Sequence, residues 1–327
     1  MNFLRWRRRR DRASDHRAEP GSEGRISRTS QAVALTRAGL DRPHSPEGDP
    51  QAQARLCEGM RPAPVERLRP MLAARTRFFD QAVLTALAAG TGQVVICGAG
   101  YDDRALRFRT PGVRFFELDQ GPTQADKARR LHALDTDLTG LTLVTADFRH
   151  DDVAEVLAAS GHDRDRATLF LCEGLLIYLD QPTLTGLLTG LASGAAPGPG
   201  PGSGPGPGPG PGAGAGAGAG VGAGAGAGAG VGAGAGVGVG VGVGSTLAAS
   251  LAIHAEDRST TEVLAAANAR RRAGETEPWR TILPRDQQIA LLATAGWQAD
   301  RVFDAADLED SAPAGRTLLV EASLTMG

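Results

Sequence analysis

Short apolar runs alternate along this chain with longer segments whose hydrophobic residues recur at helical spacing. The apolar runs predict strands over 94–97, 113–118, 141–145, 168–172, 246–253 and 317–322. The segments between them predict helices over 71–89, 104–108, 123–134, 153–159, 181–192, 259–272 and 284–295. The central strands are apolar at nearly every position, as strands covered on both faces must be. This alternation predicts an α/β fold, a mostly parallel sheet with helices on both sides.

The last part of the chain departs from this alternation. Two strand-like pieces, in "TAGWQADRVFDAADL" and "GRTLLVEASL", follow one another with no long helix between them. This order favours an antiparallel hairpin at the edge of the sheet.

A low-complexity segment of Gly, Ala, Pro and Val interrupts the pattern over 194–244. Glycine recurs there at every second position, whereas a collagen triple helix needs it at every third. The Pro-Gly part cannot hold a helix or a ladder, and the Gly-Ala part has too little side chain to offset the entropy of ordering. We predict a flexible loop; a silk-like strand stack is the alternative. Because a helix pattern ends before it and a strand pattern begins after it, we interpret the segment as an insertion.

The remaining chain is predicted to be one domain over 25–327, preceded by a basic leader over 1–24. Five arginines between Arg5 and Arg10 are followed by polar residues, where a secretory signal needs an apolar stretch. We therefore predict a disordered, solvated leader; a basic tail that contacts nucleic acid or membrane is the alternative.

The overall charge and the cysteines narrow the class of protein. The 35 Lys and Arg nearly balance the 37 Asp and Glu, so we expect no specific nucleic-acid partner. No stretch is apolar enough for a transmembrane helix, and we expect no membrane partner. Cys57, Cys97 and Cys172 are odd in number and widely spaced, which favours reduced structural thiols in a cytoplasmic protein over a disulfide framework or a metal site.

The residues directly after each strand are the candidates for a ligand site, because open α/β sheets bind ligands at the carboxyl ends of their strands. The first strand is followed by Gly98-Ala99-Gly100, where small residues let a ligand lie against the backbone. The third glycine of a dinucleotide motif would fall at 103, but Asp103 stands there and would repel a pyrophosphate. This disfavours NAD and FAD and predicts a ligand without phosphates.

Carboxylates follow the next three strands. Glu117 and Asp119 end the second strand, about where an acid accepts hydrogen bonds from ribose hydroxyls. Asp147 beside Phe148 follows the third, an acceptor for an exocyclic amine next to an apolar surface for a purine. Glu173 follows the fourth and could face a cationic centre or an amine. Each acid alone is also explained as a helix cap or loop residue, but four in succession predict a shared site.

These requirements describe S-adenosylmethionine, a nucleoside with an amine and a positive charge and no phosphate. The same residues lie in stretches that resemble a known family: "ARTRFFDQAV", "VVICGAGYDDRALRF", "FFELDQGPTQADKARRL", "ADFR" and "EGLLIYLDQPTLTGLL". In order and spacing they resemble the S-adenosylmethionine-dependent methyltransferases of the leucine carboxyl methyltransferase family. The similarity covers roughly 26–191 and the region after the insertion.

The resemblance implies a class I methyltransferase (Rossmann-like) fold with a mostly parallel, seven-stranded sheet. It also implies a role for each candidate residue in holding S-adenosylmethionine. In that scheme Arg75 pairs with the methionine carboxylate, Gly98 and Gly100 line the methionine moiety, Asp119 holds the ribose, Asp147 and Phe148 hold the adenine, and Glu173 lies near the amino group. A structural ion pair with an acid such as Asp103 is the alternative for Arg75.

The chain departs from the family pattern at three places. It has Tyr101-Asp102-Asp103 where Leu-Asp-Thr or Leu-Asp-Ser is common, and Asp119-Gln120-Gly121 where Asp-Gln-Pro is common. The early helix, "ISRTSQAVALTRAGLDRP", lacks the lysine that the protein carboxyl methyltransferases of the family place there. The substrate is therefore left open.

We expect an S-adenosylmethionine-dependent methyltransferase that O-methylates a carboxylate or a hydroxyl of a small molecule or peptide. In-line methyl transfer needs chiefly alignment and the exclusion of water. A carboxylate acceptor needs no base, and Tyr178 is more typical of a wall residue than of a base, so no catalytic residue is assigned. The alternatives are a nicotinamide-dependent oxidoreductase, disfavoured by Asp103 and by the lack of a Tyr-x-x-x-Lys pair, and a nucleoside-binding protein without catalysis.

Overall fold

A computed structural model of the chain describes residues 26–61, 68–196, 244–269, 277–309, 311–313 and 315–325. The predicted leader over 1–24 and residues 197–243 of the low-complexity segment lie outside these ranges.

The strands of the described ranges form one sheet. They are β1 (Gln93–Cys97), β2 (Arg114–Asp119), β3 (Leu141–Thr145), β4 (Thr168–Cys172), β5 (Thr246–Ala252), β6 (Trp297–Asp304) and β7 (Thr317–Leu324). Their order across the sheet is β3-β2-β1-β4-β5-β7-β6. β1 to β5 pair in parallel, whereas β7 is antiparallel to both β5 and β6. The predicted fold class, a mostly parallel seven-stranded sheet with an antiparallel edge pair, is confirmed.

The helices lie where the periodicity predicts them, with two additions before the first strand. They are α1 (Arg28–Ala38), α2 (Ala52–Leu56), α3 (Arg69–Ala88), α4 (Arg104–Arg107), α5 (Gly121–Ala133), α6 (Val153–Ala159), α7 (Gln181–Ser193), α8 (Thr260–Ala269) and α9 (Arg285–Thr294). Short 3-10 turns cover Leu176–Tyr178 and Ala305–Asp307. The five-residue helix α2 has too few positions to show a period, and the pattern did not predict it.

Local sequence determines where several helices start. Asp152 and Asp180 stand directly before α6 and α7, and their side chains accept hydrogen bonds from backbone N–H groups of the first turn. Pro182 lies in the first turn of α7, where its missing N–H group costs no hydrogen bond. These caps explain why both helices begin at the predicted residues.

Helices cover both faces of the sheet. Val94 and Val95 are adjacent in β1 and point to opposite faces, since strand side chains alternate. On the Val95 face, α6, α7 and α9 contribute apolar residues such as Leu188. On the Val94 face, α3 contributes Phe79 and its neighbours. Fully burying such a side chain stabilises the fold by about 1.5–3 kcal/mol. These two layers hold the sheet and present the carboxyl ends of its strands at one edge.

The two described ends that flank the low-complexity segment are hydrogen-bonded to each other. Ser245 N–H donates to the Ala196 carbonyl at 3.1 Å, and Ala196 N–H donates to Ser245 Oγ at 2.9 Å. α7 therefore leads to β5 across a gap that a short turn could close. This contact supports our interpretation of the segment as an insertion within one domain.

The three cysteines are free and buried. Within the described ranges, no helix combines the length and the apolar character needed to cross a membrane.

Candidate functional site

The candidate residues meet where the strand order reverses. β1 lies between β2 and β4, so the residues that follow these three strands lie side by side at one edge of the sheet. Gly98 follows β1, Asp119 ends β2 and Glu173 follows β4. Such a switch point forms the crevice in which open α/β sheets bind ligands.

The glycine turn after β1 has a backbone that favours glycine. Gly98 and Gly100 have φ angles of +64° and +53°. A Cβ atom on Gly98 would lie 2.9 Å from Leu175 Cδ1, and one on Gly100 would lie 2.7 Å from Ser30 Cβ. The two glycines are thus required by the backbone and by close packing against Leu175 and α1. That they line a methionine moiety stays a prediction.

Asp119 is fixed against this turn. Its Oδ2 accepts a hydrogen bond from Gly100 N–H at 2.6 Å, and its Oδ1 accepts one from Gln120 N–H at 2.7 Å. Burial raises the pKa of Asp119, and the two backbone N–H groups oppose that rise. Because each carboxylate oxygen can accept more than one hydrogen bond, Asp119 keeps acceptor capacity for hydroxyl groups of a ligand.

A buried ion cluster adjoins the glycine turn. Within the described residues it joins five arginines to four carboxylates through direct ion pairs: Arg37, Arg42, Arg75, Arg104 and Arg107 with Asp80, Asp102, Asp103 and Glu173. With every group ionised, the cluster carries one positive charge in excess. A buried charge is costly unless it is paired, so the cluster is suited to receive one further anionic group.

Arg104 lies at the centre of this cluster and is fully buried. Its guanidinium donates to Asp80 at 2.7 Å and to Asp102 and Glu173 at 2.6 Å each. Arg104 thus explains why an acid stands in the turn after β1. It pairs with Asp102 of that turn, with Asp80 of α3 and with Glu173 at the end of β4.

The role given to Asp103 was wrong. Asp103 is fully buried, and its oxygens accept from Arg42 Nη1 and Arg107 Nε, each at 2.7 Å. Burial alone would raise the pKa of Asp103, but the two arginines outweigh it and hold the pKa at about 2. This carboxylate is ionised and paired with two arginines inside the protein, so it no longer supplies an argument against a phosphate at the glycine turn.

Glu173 accepts from three arginines. Arg37 Nη2 and Arg75 Nε donate to its Oε1 at 3.0 Å, and Arg104 Nη1 donates to its Oε2 at 2.6 Å. Burial would raise the pKa of Glu173, but these guanidinium groups hold it well below its usual range. The geometry makes Glu173 an anchor for arginines, and its predicted position near an amino group stays a prediction.

Arg75 lies in α3 and packs against the residues after β4. A Cβ atom on Gly174 would lie 2.9 Å from Arg75 Nη1, so glycine makes room for the guanidinium. Its Nε pairs with Glu173, which is the partner that the structure provides where the sequence suggested Asp103. Among the described residues, neither of its two terminal nitrogens donates a hydrogen bond to the protein, so they can bind a carboxylate.

Arg37, in α1, is a site residue that the sequence reasoning missed. It is 6% exposed and pairs with Glu173 and Asp102. Its Nε is buried and has no hydrogen-bond partner among the described residues. Arg37 lies three positions after the buried Ala34 on one face of α1, but this burial is known only from the structure, and the local sequence does not mark Arg37 as a site residue. An arginine thus reaches the site from the helix that lacks the expected lysine.

The predicted adenine residues lie after β3. Asp147 accepts from Arg149 Nε at 3.1 Å and from Arg149 Nη2 at 2.9 Å. Burial would raise the pKa of Asp147, but Arg149 outweighs it and lowers that pKa. Phe148 is half-buried and packs against the core on the Val95 face. An adenine ring that binds to Asp147 has to share this carboxylate with Arg149.

Glu117, the other acid of β2, belongs to the interior. It is fully buried, forms an ion pair with Lys127, and keeps its Oε1 unpartnered among the described residues. Burial raises the pKa of Glu117 to about 7, although Lys127 acts against that rise. Lys127 also donates to the Asp102 carbonyl at 2.7 Å, so the Glu117–Lys127 pair is hydrogen-bonded to the turn after β1.

The comparison with protein families identifies the family of the chain. The model of the family described as "Leucine carboxyl methyltransferase" matches residues 12–192, more than half of the chain. The chain belongs to the leucine carboxyl methyltransferase family. The match includes α1, the glycine turn, Asp119 and Glu173 and ends within α7.

Individual relatives cover a smaller part. A "Putative S-adenosyl-L-methionine-dependent methyltransferase" of Mycolicibacterium gilvum is 39% identical over 142 residues, 43% of this chain and 42% of the relative. One of Parafrankia sp. is 37% identical over 177 residues, 49% of this chain and 56% of the relative. The chain thus spans about half the length of these curated relatives. A crystal structure of a "putative methyltransferase" from Thermobifida fusca has a TM-score of 0.49 at 13% identity, covering 90% of this chain and 94% of that one.

Proposed function

We propose that this chain binds S-adenosylmethionine at the carboxyl ends of β1, β2 and β4 and transfers its methyl group to an oxygen acceptor. The observation that carries the proposal is the polarity of the site. Asp119 ends β2 on one side of β1, and the ion cluster with its excess positive charge extends to Glu173 after β4 on the other. S-adenosylmethionine has matching ends, a carboxylate and a ribose diol, and when bound it supplies an electrophilic methyl group on a sulfonium.

The residues present fit the carboxylate end of such a ligand. Arg75 has two terminal nitrogens available, and Arg37 has a buried Nε without an acceptor among the described residues. A guanidinium binds a carboxylate in bidentate fashion, and one carboxylate would neutralise the excess charge of the cluster. In this proposal Glu173 orients both arginines and lies near the amino group of the ligand.

The nucleoside end is assigned to the residues after β2 and β3. Asp119, already oriented by Gly100 N–H, accepts from the ribose hydroxyls, and Asp147 with Phe148 holds the adenine. The glycine turn brings the backbone close to the methionine moiety. The names of the two relatives, which both specify S-adenosyl-L-methionine, support this choice of cofactor.

The acceptor in this proposal is a carboxylate or a hydroxyl of a small molecule or peptide. We also propose that the protein is located in the cytoplasm. The role of the protein residues is to align the acceptor oxygen with the methyl group and to exclude water. A carboxylate acceptor is already nucleophilic and needs no catalytic base, whereas a hydroxyl acceptor needs one, and no residue is assigned to that role.

Calorimetry and a turnover assay test the proposal together. We expect S-adenosylhomocysteine to bind and NAD not to bind, and we expect S-adenosylhomocysteine to be released when S-adenosylmethionine is incubated with a panel of carboxylate and hydroxyl acceptors. Because Asp103 is buried and paired with Arg42 and Arg107, the expectation for NAD now rests on the family match and not on Asp103. Tight binding of NAD without binding of S-adenosylhomocysteine would contradict the proposal.

Asp119→Ala sharpens this test. The variant should weaken S-adenosylhomocysteine binding by about 1–3 kcal/mol, because the ribose hydroxyls lose a charged acceptor. Asp137→Ala, at an exposed position after α5, is the matched control and should bind as the wild type does. An unchanged affinity of Asp119→Ala would mean that another group holds the ribose.

A further inference from the structure

Glu277 brings a second carboxylate to the glycine turn from the C-terminal part of the chain. Its Oε2 accepts a hydrogen bond from Thr29 Oγ1 at 2.7 Å. Thr29 lies in the first turn of α1, directly before Ser30, the residue against which Gly100 packs. Glu277 is separated from Thr29 by 248 positions in the sequence and meets it only in the fold.

Glu277 also acts on Asp119. After burial, which is the main cause, the negative charge of Glu277 contributes to the raised pKa of Asp119. Asp119 in turn accepts from Gly100 N–H at 2.6 Å. Glu277 therefore meets α1 at Thr29, whose neighbour Ser30 lies against Gly100, and Gly100 donates to Asp119.

The backbone that carries Glu277 is anchored to the turn after β4. Arg280 N–H donates to the Ile177 carbonyl at 2.8 Å, and Thr281 Oγ1 donates to the Leu179 carbonyl at 2.6 Å. Thr281 is 3% exposed. The backbone three and four residues after Glu277 is thus held at the turn after β4, and the bond to Thr29 orients the Glu277 side chain.

We propose that Glu277 is a second ribose-binding carboxylate, so that the vicinal hydroxyls of the ligand lie between Asp119 and Glu277. This inference rests on the proposed function. The Thr29 hydroxyl donates to Oε2, and Oε1 accepts no hydrogen bond from the described residues. Ionised carboxylates only accept, so they suit hydroxyl donors, and a pair of them disfavours a phosphate on the same sugar. A residue outside the matched family region thus contributes to specificity for an unphosphorylated ribose.

The experiment compares two ligands that differ only at the ribose: S-adenosylhomocysteine and its 2′,3′-dideoxy analogue. We expect Glu277→Gln to weaken S-adenosylhomocysteine about fivefold to twentyfold, the range for losing a hydrogen bond to a charged group that is half-exposed. The dideoxy analogue should bind Glu277→Gln and the wild-type protein equally. Thr29→Val, which removes the hydroxyl that holds Glu277, should give the same pattern with a loss of about threefold.

Glu262→Gln is the matched control, since Glu262 is an exposed acid on α8, and it should bind both ligands as the wild type does. Melting curves of all variants report whether the fold is kept. Equal losses for both ligands in Glu277→Gln, or no loss for either, would overturn the ribose assignment and leave the proposed function standing. A wild-type protein that binds neither ligand would overturn both proposals.

Discussion

Arg75 is the residue that best separates carboxylate binding from a purely structural role. Its Nε is committed to Glu173, while Arg37 and Arg104 also hold that acid. Losing the bond from Arg75 therefore leaves Glu173 paired, and the fold should survive a substitution at this position. This redundancy makes the ligand-binding role testable without unfolding the protein.

Arg75→Lys should weaken S-adenosylmethionine about tenfold, because lysine lacks the bidentate geometry, and should leave adenosine binding unchanged, because adenosine has no carboxylate. Titration of the variant with both ligands, together with a melting curve, measures this. Arg77→Lys is the control, since Arg77 lies on the same helix with its side chain 53% exposed. Equal losses for adenosine and S-adenosylmethionine would refute the carboxylate assignment.

Glu117 should make stability depend on pH in a direction opposite to that of most carboxylates. Its pKa in the fold is about 7, against 4.5 for an ordinary glutamate. A carboxyl group whose pKa is raised by folding stabilises the fold fully below the unfolded pKa, and this contribution is lost as the pH rises through the folded pKa.

Between pH 5.5 and 8 the wild type should therefore lose about 1–2 kcal/mol of unfolding free energy through Glu117. The double variant Glu117→Gln with Lys127→Met removes the buried pair and should lack this loss, whatever its absolute stability. Urea denaturation at the two pH values measures the difference. Identical pH dependence of the two proteins would show that Glu117 does not titrate in this range.

At the scale of elements, α1 and the glycine turn act as one packed unit. Gly100 meets Ser30 of α1 and also donates to Asp119 of β2. A substitution of Gly100 thus affects the backbone conformation, the packing of α1 against the turn and the orientation of the proposed ribose ligand together.

Gly100→Ala should lower the free energy of unfolding by about 2–4 kcal/mol. The positive φ costs alanine about 1–2 kcal/mol, and the collision of its Cβ with Ser30 adds to that cost. Gly112→Ala separates these causes: Gly112 has a φ of +77° but nothing within 4 Å of an added Cβ. Gly112→Ala should lower the free energy of unfolding only by the cost of the positive φ. Chemical denaturation of both variants gives the comparison, and equal costs would mean that α1 yields without penalty.

At the scale of the whole molecule, the low-complexity segment joins two ends that are already hydrogen-bonded. The contact between Ala196 and Ser245 closes the path from α7 to β5 independently of what lies between them. The sheet and the site are built from residues on both sides of that contact.

Deleting 199–243 should leave the fold and S-adenosylhomocysteine affinity nearly unchanged. Closing a flexible loop costs only about 0.6 kcal/mol for each doubling of its length, so a shorter connection should be neutral or slightly stabilising. The melting temperature and calorimetry of the deletion variant check this. An insoluble or non-binding variant would show that the segment packs against the domain.

The sequence by itself predicted most of the elements and the place of the candidate site. The strands follow from short apolar runs and most helices from a period of 3.6, and helix starts follow from local caps such as Asp180. Because parallel strands bring their carboxyl ends to one edge, the positions of Gly98, Asp119 and Glu173 at a common site could be predicted. Each of these inferences needs only neighbouring residues and the order of the strands.

Tertiary structure alone decided which charges meet. Arg37 reaches Glu173 across 136 positions and Glu277 reaches Thr29 across 248, and no local pattern marks such pairs. Asp103 shows the converse, since it lies next to the glycine turn in sequence but is neutralised by Arg42 and Arg107. The physical reason is that electrostatic pairing depends on distance and burial in space, whereas hydrophobic period and capping are set by residues a few positions apart.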